Sequence, residues 1–193
     1  MPRDSQDVMA ALSAPDSSAK PAPAAHRFSG ADVLAISRER GWIVGEPSTE
    51  QIAWCERAAA LLGPHTENRS ALADLLGLVF HYDAHQLLTQ VENHVVLSRY
   101  AARHVVRQLA LLLLEPEPLS VERFKQIITA LKEGLELRGR ELFHPIRLAL
   151  AGRAGEGELD RVILLLDEAA ALNFAVPVKS ARQRILEFCA SLD

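Results

Sequence analysis

Residues 139–159 read GRELFHPIRLALAGRAGEGEL, and the interpretation of the whole chain starts from this stretch. An apolar segment runs through it and breaks at Gly152, where a short loop containing two more glycines begins. Proline disfavours helix at the residue before it, so the spacing predicts a turn near His144 and a new helix from Pro145. Arg147 then falls one turn before the loop, and we expect its side chain to be exposed. We call residues 152–157 the glycine elbow.

The composition of the chain favours helix over sheet. The chain has 193 residues, of which 49% are apolar and only 5% aromatic, and Leu and Ala predominate among them. Leu and Ala are strong helix formers, whereas strands favour aromatic and β-branched residues. No segment shows the strict apolar–polar alternation of a half-buried strand. We therefore predict an all-α protein, built as one domain or as two small helical subdomains that share a core.

Two changes in composition divide the chain. Residues 1–28 are rich in Ala, Ser, Pro and Asp and have no hydrophobic periodicity, which predicts a disordered tail. Residues 115–118 read EPEP, and two prolines in three residues cannot continue a helix. The sequence thus predicts an N-terminal helical subdomain over residues 29–115 and a C-terminal helical subdomain over residues 116–193.

Several local signals predict where helices begin and how far they extend. Ser48 or Thr49 should cap one helix, and Ser120 another. Ser180, with Gln183 three residues later, forms a capping-box pattern before the last helix. Residues 95–114 are predicted to be one long helix, with arginines at 99, 103 and 107 forming a single polar stripe. A further apolar helix is expected over residues 159–172.

Charge and hydropathy narrow the classes of function. The net charge of −4 argues against an indiscriminate nucleic-acid binder, although it leaves room for a local basic face. The longest apolar run, residues 109–114, is far shorter than the ~20 residues that cross a bilayer. Early acidic residues and the lack of an apolar segment near the N-terminus do not fit a secretory signal. We expect a cytoplasmic protein with no membrane partner.

Residues that could carry chemistry are sparse. His81 and His85 are spaced four apart, but structural zinc needs four ligands and no further cluster is near them in sequence. The glycine elbow lacks both the preceding strand and the Gly-Lys-Ser/Thr of a phosphate-binding loop. Cys55 and Cys189 have no neighbouring base in sequence and are expected to be buried free thiols. We expect no metal, no cofactor and no catalytic residue.

A basic cluster precedes and enters the elbow. Its members, which fall within 22 residues, are Lys132, Arg138, Arg140, His144, Arg147 and Arg153. Acidic residues at 133, 136 and 141 are interspersed, so composition alone favours a solvated helix face over a binding site. A guanidinium can nevertheless pair with a base edge or a phosphate of single-stranded RNA and can stack on an unpaired base.

The second half of the chain resembles a known family. Residues 118–153, PLSVERFKQIITALKEGLELRGRELFHPIRLALAGR, and residues 158–172, ELDRVILLLDEAAAL, are similar to the C-terminal anticodon-binding region of bacterial glutamyl-tRNA synthetases. A looser similarity extends back to about Ser37. The resemblance implies the helical cage of a class I aminoacyl-tRNA synthetase anticodon-binding domain. It also implies tRNA, and tRNA-Glu first, as the partner.

The resemblance further implies a set of RNA-binding residues. Arg147 corresponds to the family arginine that touches the anticodon, and Glu156, Gly157 and Leu159 correspond to the family loop that packs against anticodon bases. Arg153, Arg138 and Arg140 would support them. The chain departs from the family pattern in that loop: Ala151 replaces the usual threonine, and Glu156-Gly157 replaces a common Thr-Pro.

The family's catalytic signatures are missing from this sequence. It contains neither a HIGH-type nor a KMSKS-type motif, so we expect no enzyme activity from the chain on its own. Two hypotheses stay open. The chain is a tRNA-binding module, either a paralogue or half of a split synthetase that works with a separate catalytic chain. Alternatively, it is a protein-interaction or regulatory domain that kept the fold and lost RNA binding. A positive surface around the cluster favours the first, and an exposed apolar patch there favours the second.

Overall fold

The computed structural model describes residues 28–192, and all regular structure in that range is helical, which confirms the all-α prediction. The helices are α1 Gly30–Glu39, α2 Thr49–Leu62, α3 Arg69–Phe80, α4 Ala84–Thr89, α5 Val91–Leu97, α6 Ala102–Leu112, α7 Val121–Leu135, α8 Arg140–Ala151, α9 Glu158–Ile163, α10 Leu166–Ala171 and α11 Ala181–Leu192. The tail predicted over residues 1–28 lies, apart from Phe28, outside the described residues. Phe28 packs against the core. No helix among the described residues is long and apolar enough to cross a bilayer.

The predicted helix caps are confirmed. The Ser48 hydroxyl accepts a hydrogen bond from the backbone N–H of Gln51 at 3.2 Å, and the Gln51 side chain accepts one from the Ser48 N–H at 2.9 Å. Ser180 and Gln183 form the same reciprocal pair at the start of α11. The Ser120 hydroxyl accepts from the N–H of Arg123 at the start of α7. These bonds satisfy N–H groups that have no partner within the helix.

The long helix predicted over residues 95–114 is wrong. α5 ends at Leu97, and a turn over residues 98–101 separates it from α6. The Ser98 hydroxyl donates to the Val95 carbonyl at 3.0 Å, a local bond by which serine competes with regular helix. Arg99 therefore lies in the turn, and the three arginines do not form one helical stripe. The apolar segment at 159–172 is likewise two helices, α9 and α10.

The turn predicted at His144 is also wrong, because Pro145 lies inside α8. The helix begins five residues earlier, at Arg140, after Gly139 adopts a positive φ of 56°. Proline inside a helix removes one backbone hydrogen bond and costs about 3 kcal/mol. The packing of α8 offsets that cost, since Leu142, Pro145 and Ile146 are all buried.

The hydrophobic core contains residues from both sides of the EPEP segment at 115–118. The Trp42 ring stacks on Phe80 with centroids 4.2 Å apart, and Phe174 packs edge-on against both Phe80 and Trp54. The Gln51 amide donates to the backbone carbonyl of residue 173 at 3.0 Å. One hydrophobic cluster contains buried residues from α1 to α11. The boundary at 115/116 stays a prediction.

A buried arginine, Arg184, hydrogen-bonds to backbone carbonyls at the ends of α3 and α8 and just before α11. Arg184 of α11 is fully buried, and its guanidinium donates to the carbonyls of Leu78 and Val79 at the end of α3 and of Leu150 at the end of α8. A fourth bond reaches the Lys179 carbonyl. Carbonyls at helix C-termini carry partial negative charge, so a cation is well placed there. Burial lowers the pKa of Arg184 to about 10, which leaves it charged at neutral pH.

Candidate nucleic-acid interface

The glycine elbow connects α8 to α9 and depends on two of its glycines. Gly152 ends α8 with φ of +78°, a conformation that a residue with a side chain rarely adopts. Gly155 lies so close to the Leu159 side chain that a Cβ atom would come within 2.9 Å of it. The prediction that glycine supplies positive φ in this loop is therefore confirmed at Gly152, whereas a Cβ atom at Gly155 would make the end of the Leu159 side chain shift.

Arg147 holds the elbow against α8. Its Nε and Nη2 atoms donate to the two carboxylate oxygens of Asp160, each at 2.8 Å, and Nη1 donates to the Gly155 carbonyl at 2.6 Å. The guanidinium also lies over the Phe143 ring, 4.8 Å from its centroid. Bidentate pairing of this kind fixes geometry as well as supplying energy. We call this set of contacts the Arg147 clamp.

The expectation that Arg147 is exposed is wrong. Only 10% of its side chain is accessible, and that of Asp160 is 22% accessible. The physical reason is that α8 starts at Arg140 rather than at Pro145, so Arg147 lies two turns inside the helix and faces α9. Its side-chain nitrogens are engaged with the elbow and with α9. The structure therefore assigns Arg147 to shaping the loop, and its direct contact with an anticodon stays a prediction.

Leu159 is fully buried beneath the elbow. Its side chain packs against Gly155 and belongs to the hydrophobic core. An apolar side chain with no accessible surface cannot stack on a base without unpacking. The Leu159 side chain therefore supports the loop from the protein side, and its place in an anticodon-binding loop stays a prediction.

The remaining sequence-predicted site residues are exposed. Arg153, Glu156 and Gly157 lie in the elbow, and Arg138 and Arg140 lie where α8 begins. The Arg140 guanidinium is 3.7 Å from the Glu156 carboxylate, and more than two thirds of each side chain is accessible. Ion pairs this exposed contribute little stability, typically about 0–1 kcal/mol. The Arg140 guanidinium is therefore accessible to a phosphate, and the Glu156 carboxylate is accessible to a hydrogen-bond donor on a base edge.

The charge around the elbow is mixed, since residues 136–160 contain four arginines and five carboxylates. Within residues 28–192, the strongly exposed large apolar side chains lie outside 136–160 in sequence, and one of them, Tyr100, follows Arg99, which lies 3.4 Å from His144. Burial lowers the pKa of His144 from its ordinary value of 6.5, and the charges of Arg99, Arg140 and Arg147 lower it further. The carboxylate of Glu156 acts in the opposite direction and raises the pKa of His144. Both sequence hypotheses for this surface stay predictions.

Two residues of this site, Asp160 and Arg99, were not predicted from the sequence. Asp160, the partner of Arg147, follows it by thirteen residues, and the only sequence signal was an acidic residue in the first turn after the elbow. Arg99 was assigned to a helical stripe, but its Nη1 lies 3.4 Å from His144 Nδ1 on α8. Both contacts depend on tertiary structure.

Metal and thiol chemistry find no support among the described residues. Within 28–192, no three or more His, Cys, Asp or Glu side chains are arranged to hold a metal ion. Neither cysteine is in a disulfide, and Cys55 is buried whereas Cys189 is half-buried. Burial raises the pKa of Cys55 to about 11, so its thiol is unreactive at neutral pH.

The fold and this geometry agree with comparison to known families. A profile of the anticodon binding domain family matches residues 30–173, from the start of α1 to beyond α10. The chain belongs to the anticodon-binding domain family. The match includes the Arg147 clamp, the glycine elbow and the exposed arginines beside it. No solved structure matches this chain significantly.

Two curated relatives are glutamate–tRNA ligases. The chain is 27% identical over 133 residues to the glutamate–tRNA ligase of Exiguobacterium sibiricum, covering 69% of this chain and 27% of that protein. It is 30% identical over 115 residues to glutamate–tRNA ligase 2 of Syntrophus aciditrophicus, covering 60% of this chain and 23% of that protein. The chain thus spans about a quarter of the length of the relatives it matches, in their non-catalytic part. The resemblance noted in the sequence is confirmed.

Proposed function

We propose that this chain is a tRNA-binding module that contacts the anticodon through the exposed side of the glycine elbow. The observation that carries the proposal is the Arg147 clamp, which fixes a loop whose outer residues are a cation and a carboxylate. Recognition of one base requires donors and acceptors that do not move when RNA binds. The family match and the exposed arginines beside the elbow support the same conclusion.

The exposed residues of this surface divide into two roles. Arg138, Arg140 and Arg153 are placed to pair with backbone phosphates, which supply most of the affinity for RNA. Glu156 is an acceptor and can pair with the amino group of a cytosine, which would contribute specificity. Arg147 and Leu159 are positioning residues, since both hold the elbow from the protein side.

The relatives suggest a more specific partner. We propose tRNA-Glu as the preferred tRNA because both curated relatives named above are glutamate–tRNA ligases. We also propose that the chain acts with a separate catalytic synthetase chain in the cytoplasm, as one part of a split enzyme. A paralogue that binds tRNA without such a chain is the alternative within the same function.

The phosphate-binding role predicts a loss of affinity that depends on salt. The double variant Arg140→Gln with Arg153→Gln should bind tRNA more weakly. The slope of log affinity against log salt should flatten by about 2, because each lost phosphate contact removes about 1. The measurement is filter binding of tRNA-Glu and of total tRNA over a salt series. Arg40→Gln, which removes an exposed cation at the end of α1, should leave the slope unchanged.

The same titration decides between the two functions. Binding of tRNA by the parent chain at low salt, with the flattened slope in the double variant, supports the RNA-binding module. A parent chain that binds no tRNA even at low salt contradicts it and leaves the protein-interaction domain. Equal loss for all RNAs would assign the arginines to affinity alone, and Glu156→Gln then tests specificity at one base.

The absence of catalytic signatures from the sequence predicts no amino-acid activation by the chain alone. Purified protein with ATP, glutamate and labelled pyrophosphate should show exchange no higher than a blank without protein. If a split synthetase exists, aminoacylation of tRNA-Glu should appear only when the catalytic chain is added. Exchange above the blank with this chain alone would contradict the prediction.

A further inference from the structure

The turn between α5 and α6 holds an aromatic side chain with no packing on it. Tyr100 is fully exposed, whereas an aromatic ring of that size usually buries much of its surface. It lines a surface groove of about 430 Å³. The other lining residues are His94, Leu97, Ser98, Arg99 and Arg103. None of these six residues is acidic, and two of them are arginines. We call this the Tyr100 groove.

The Tyr100 groove is connected to the anticodon surface. The Arg99 guanidinium lies 3.4 Å from His144 Nδ1, and His144 is on α8 one turn before Arg147. Burial and the nearby arginines lower the pKa of His144, which favours the neutral ring, and Nδ1 of a neutral ring can accept this hydrogen bond. The bond holds Arg99 at the border between the groove and the elbow. Arg99 therefore lies between the elbow and Tyr100, where it can pair with a phosphate of an RNA that contacts both.

We propose that the Tyr100 groove is a second RNA-binding subsite, in which an unpaired base stacks on the Tyr100 ring and Arg99 and Arg103 pair with the adjoining phosphates. The subsite rests on the proposed function, because it extends the same RNA surface. Exposed aromatic rings flanked by cations are the standard arrangement for single-stranded nucleic acid, since every base has a π-face. Stacking on the Tyr100 ring selects an unpaired base, because the bases of double-stranded RNA are already stacked on one another.

The charge of the groove favours RNA over a protein partner. Tyrosine and arginine are enriched in protein interfaces as well, so the feature that favours a polyanion is that the groove's lining contains two arginines and no carboxylate. Here the exposed ring lines one groove with His94, Arg99 and Arg103, and Arg99 also lies 3.4 Å from His144 Nδ1. That combination matches a phosphate backbone with a flipped-out base.

The experiment uses the full chain and two RNAs. One is a tRNA-Glu transcript, and the other is its anticodon stem-loop carrying the fluorescent base 2-aminopurine at each loop position in turn. Tyr100→Ala should weaken binding of both RNAs by about 5-fold to 100-fold, the range for loss of one base stack. One loop position should be quenched by the parent and not by Tyr100→Ala. Tyr100→Phe keeps the ring and should retain both the affinity and the quenching.

Matched controls separate stacking from folding and from the proposed function. Val44→Ala removes another exposed apolar side chain and should change neither affinity nor quenching. Thermal unfolding should be the same for the parent and Tyr100→Ala, because the ring packs on nothing. If the parent binds tRNA and Tyr100→Ala binds equally well, the subsite is wrong and the proposed function stands. If Tyr100→Ala instead disturbs only association with another protein, the RNA subsite is also wrong. If the parent binds no tRNA, both fail together.

Discussion

Arg184→Met is expected to lower the free energy of unfolding by roughly 3–5 kcal/mol, a large effect for a single substitution. The four carbonyls that accept from Arg184 lie at the ends of α3 and α8 and before α11. Methionine fills a similar volume but donates no hydrogen bond, so these carbonyls are left in the core without a partner. A buried acceptor that loses its partner costs about 1–3 kcal/mol.

The Tyr82 ring makes the effect larger. The Arg184 guanidinium lies over this ring, 4.6 Å from its centroid, and the Tyr82 hydroxyl donates to the Ala149 carbonyl at 2.5 Å. Tyr82 also contacts the elbow region, since a Cβ atom on Gly152 would lie 3.6 Å from its ring. Loss of Arg184 should therefore loosen the base of the elbow as well as the core.

The test is urea denaturation followed by circular dichroism. Arg182→Met, two residues away on the exposed side of α11, is the matched control and should change the free energy of unfolding by no more than about 0.5 kcal/mol. Arg184→Lys keeps a charge but cannot serve four carbonyls, so its stability should lie between the parent and Arg184→Met. If Arg184→Met is as stable as Arg182→Met, the assigned role is wrong. Should Arg184→Met fail to fold at all, Arg184→Lys supplies the comparison.

Arg147→Ala is expected to reduce both stability and RNA binding. The free energy of unfolding should fall by about 2–4 kcal/mol, less than for a fully buried pair because Asp160 keeps some access to water. This differs from the expectation for an exposed arginine, whose removal would leave stability almost unchanged. Affinity for tRNA should fall by the roughly 1–3 kcal/mol that one base contact supplies, because the elbow is no longer held in place.

Asp160→Ala separates a positioning role from direct contact with RNA. Removing a carboxylate makes the chain less negative, and electrostatics alone would then strengthen binding to RNA. If Arg147 acts through the elbow, Asp160→Ala should instead weaken tRNA binding, because the clamp is broken from the other side. Tighter binding by Asp160→Ala, with weaker binding by Arg147→Ala, would show that Arg147 contacts the RNA itself.

A double-mutant cycle completes this test. The double variant Arg147→Ala with Asp160→Ala should lose little more stability and affinity than either single variant, because each substitution already breaks the same contact. Stability is measured by urea denaturation and affinity by filter binding with tRNA-Glu. Arg161→Ala provides a control beside Asp160, since it alters a cation on α9 outside the clamp. Additive losses in the double variant would mean that Arg147 and Asp160 act separately.

The features that could be predicted from sequence depend on interactions between residues close together in the chain. The capping residues Ser48, Ser120 and Ser180 bond groups three positions away, so each signal and its partner are both visible in a short segment. Helical class follows in the same way from composition and from the spacing of apolar residues. The all-α fold, the break at Gly152 and the family resemblance could therefore be derived from the amino-acid sequence alone.

The role of Arg147 could not be derived that way. Proline at 145 argued for a turn, but burial of α8 in the core outweighed the local cost and turned Arg147 toward Asp160. Arg184 likewise gives no sequence signal, because its carbonyl partners at 78 and 79 are more than a hundred residues away. The sequence determined that the chain is a helical anticodon-binding domain with arginines near a glycine loop. Only the tertiary structure decided which arginines face solvent and which hold the loop, because burial depends on contacts between distant segments.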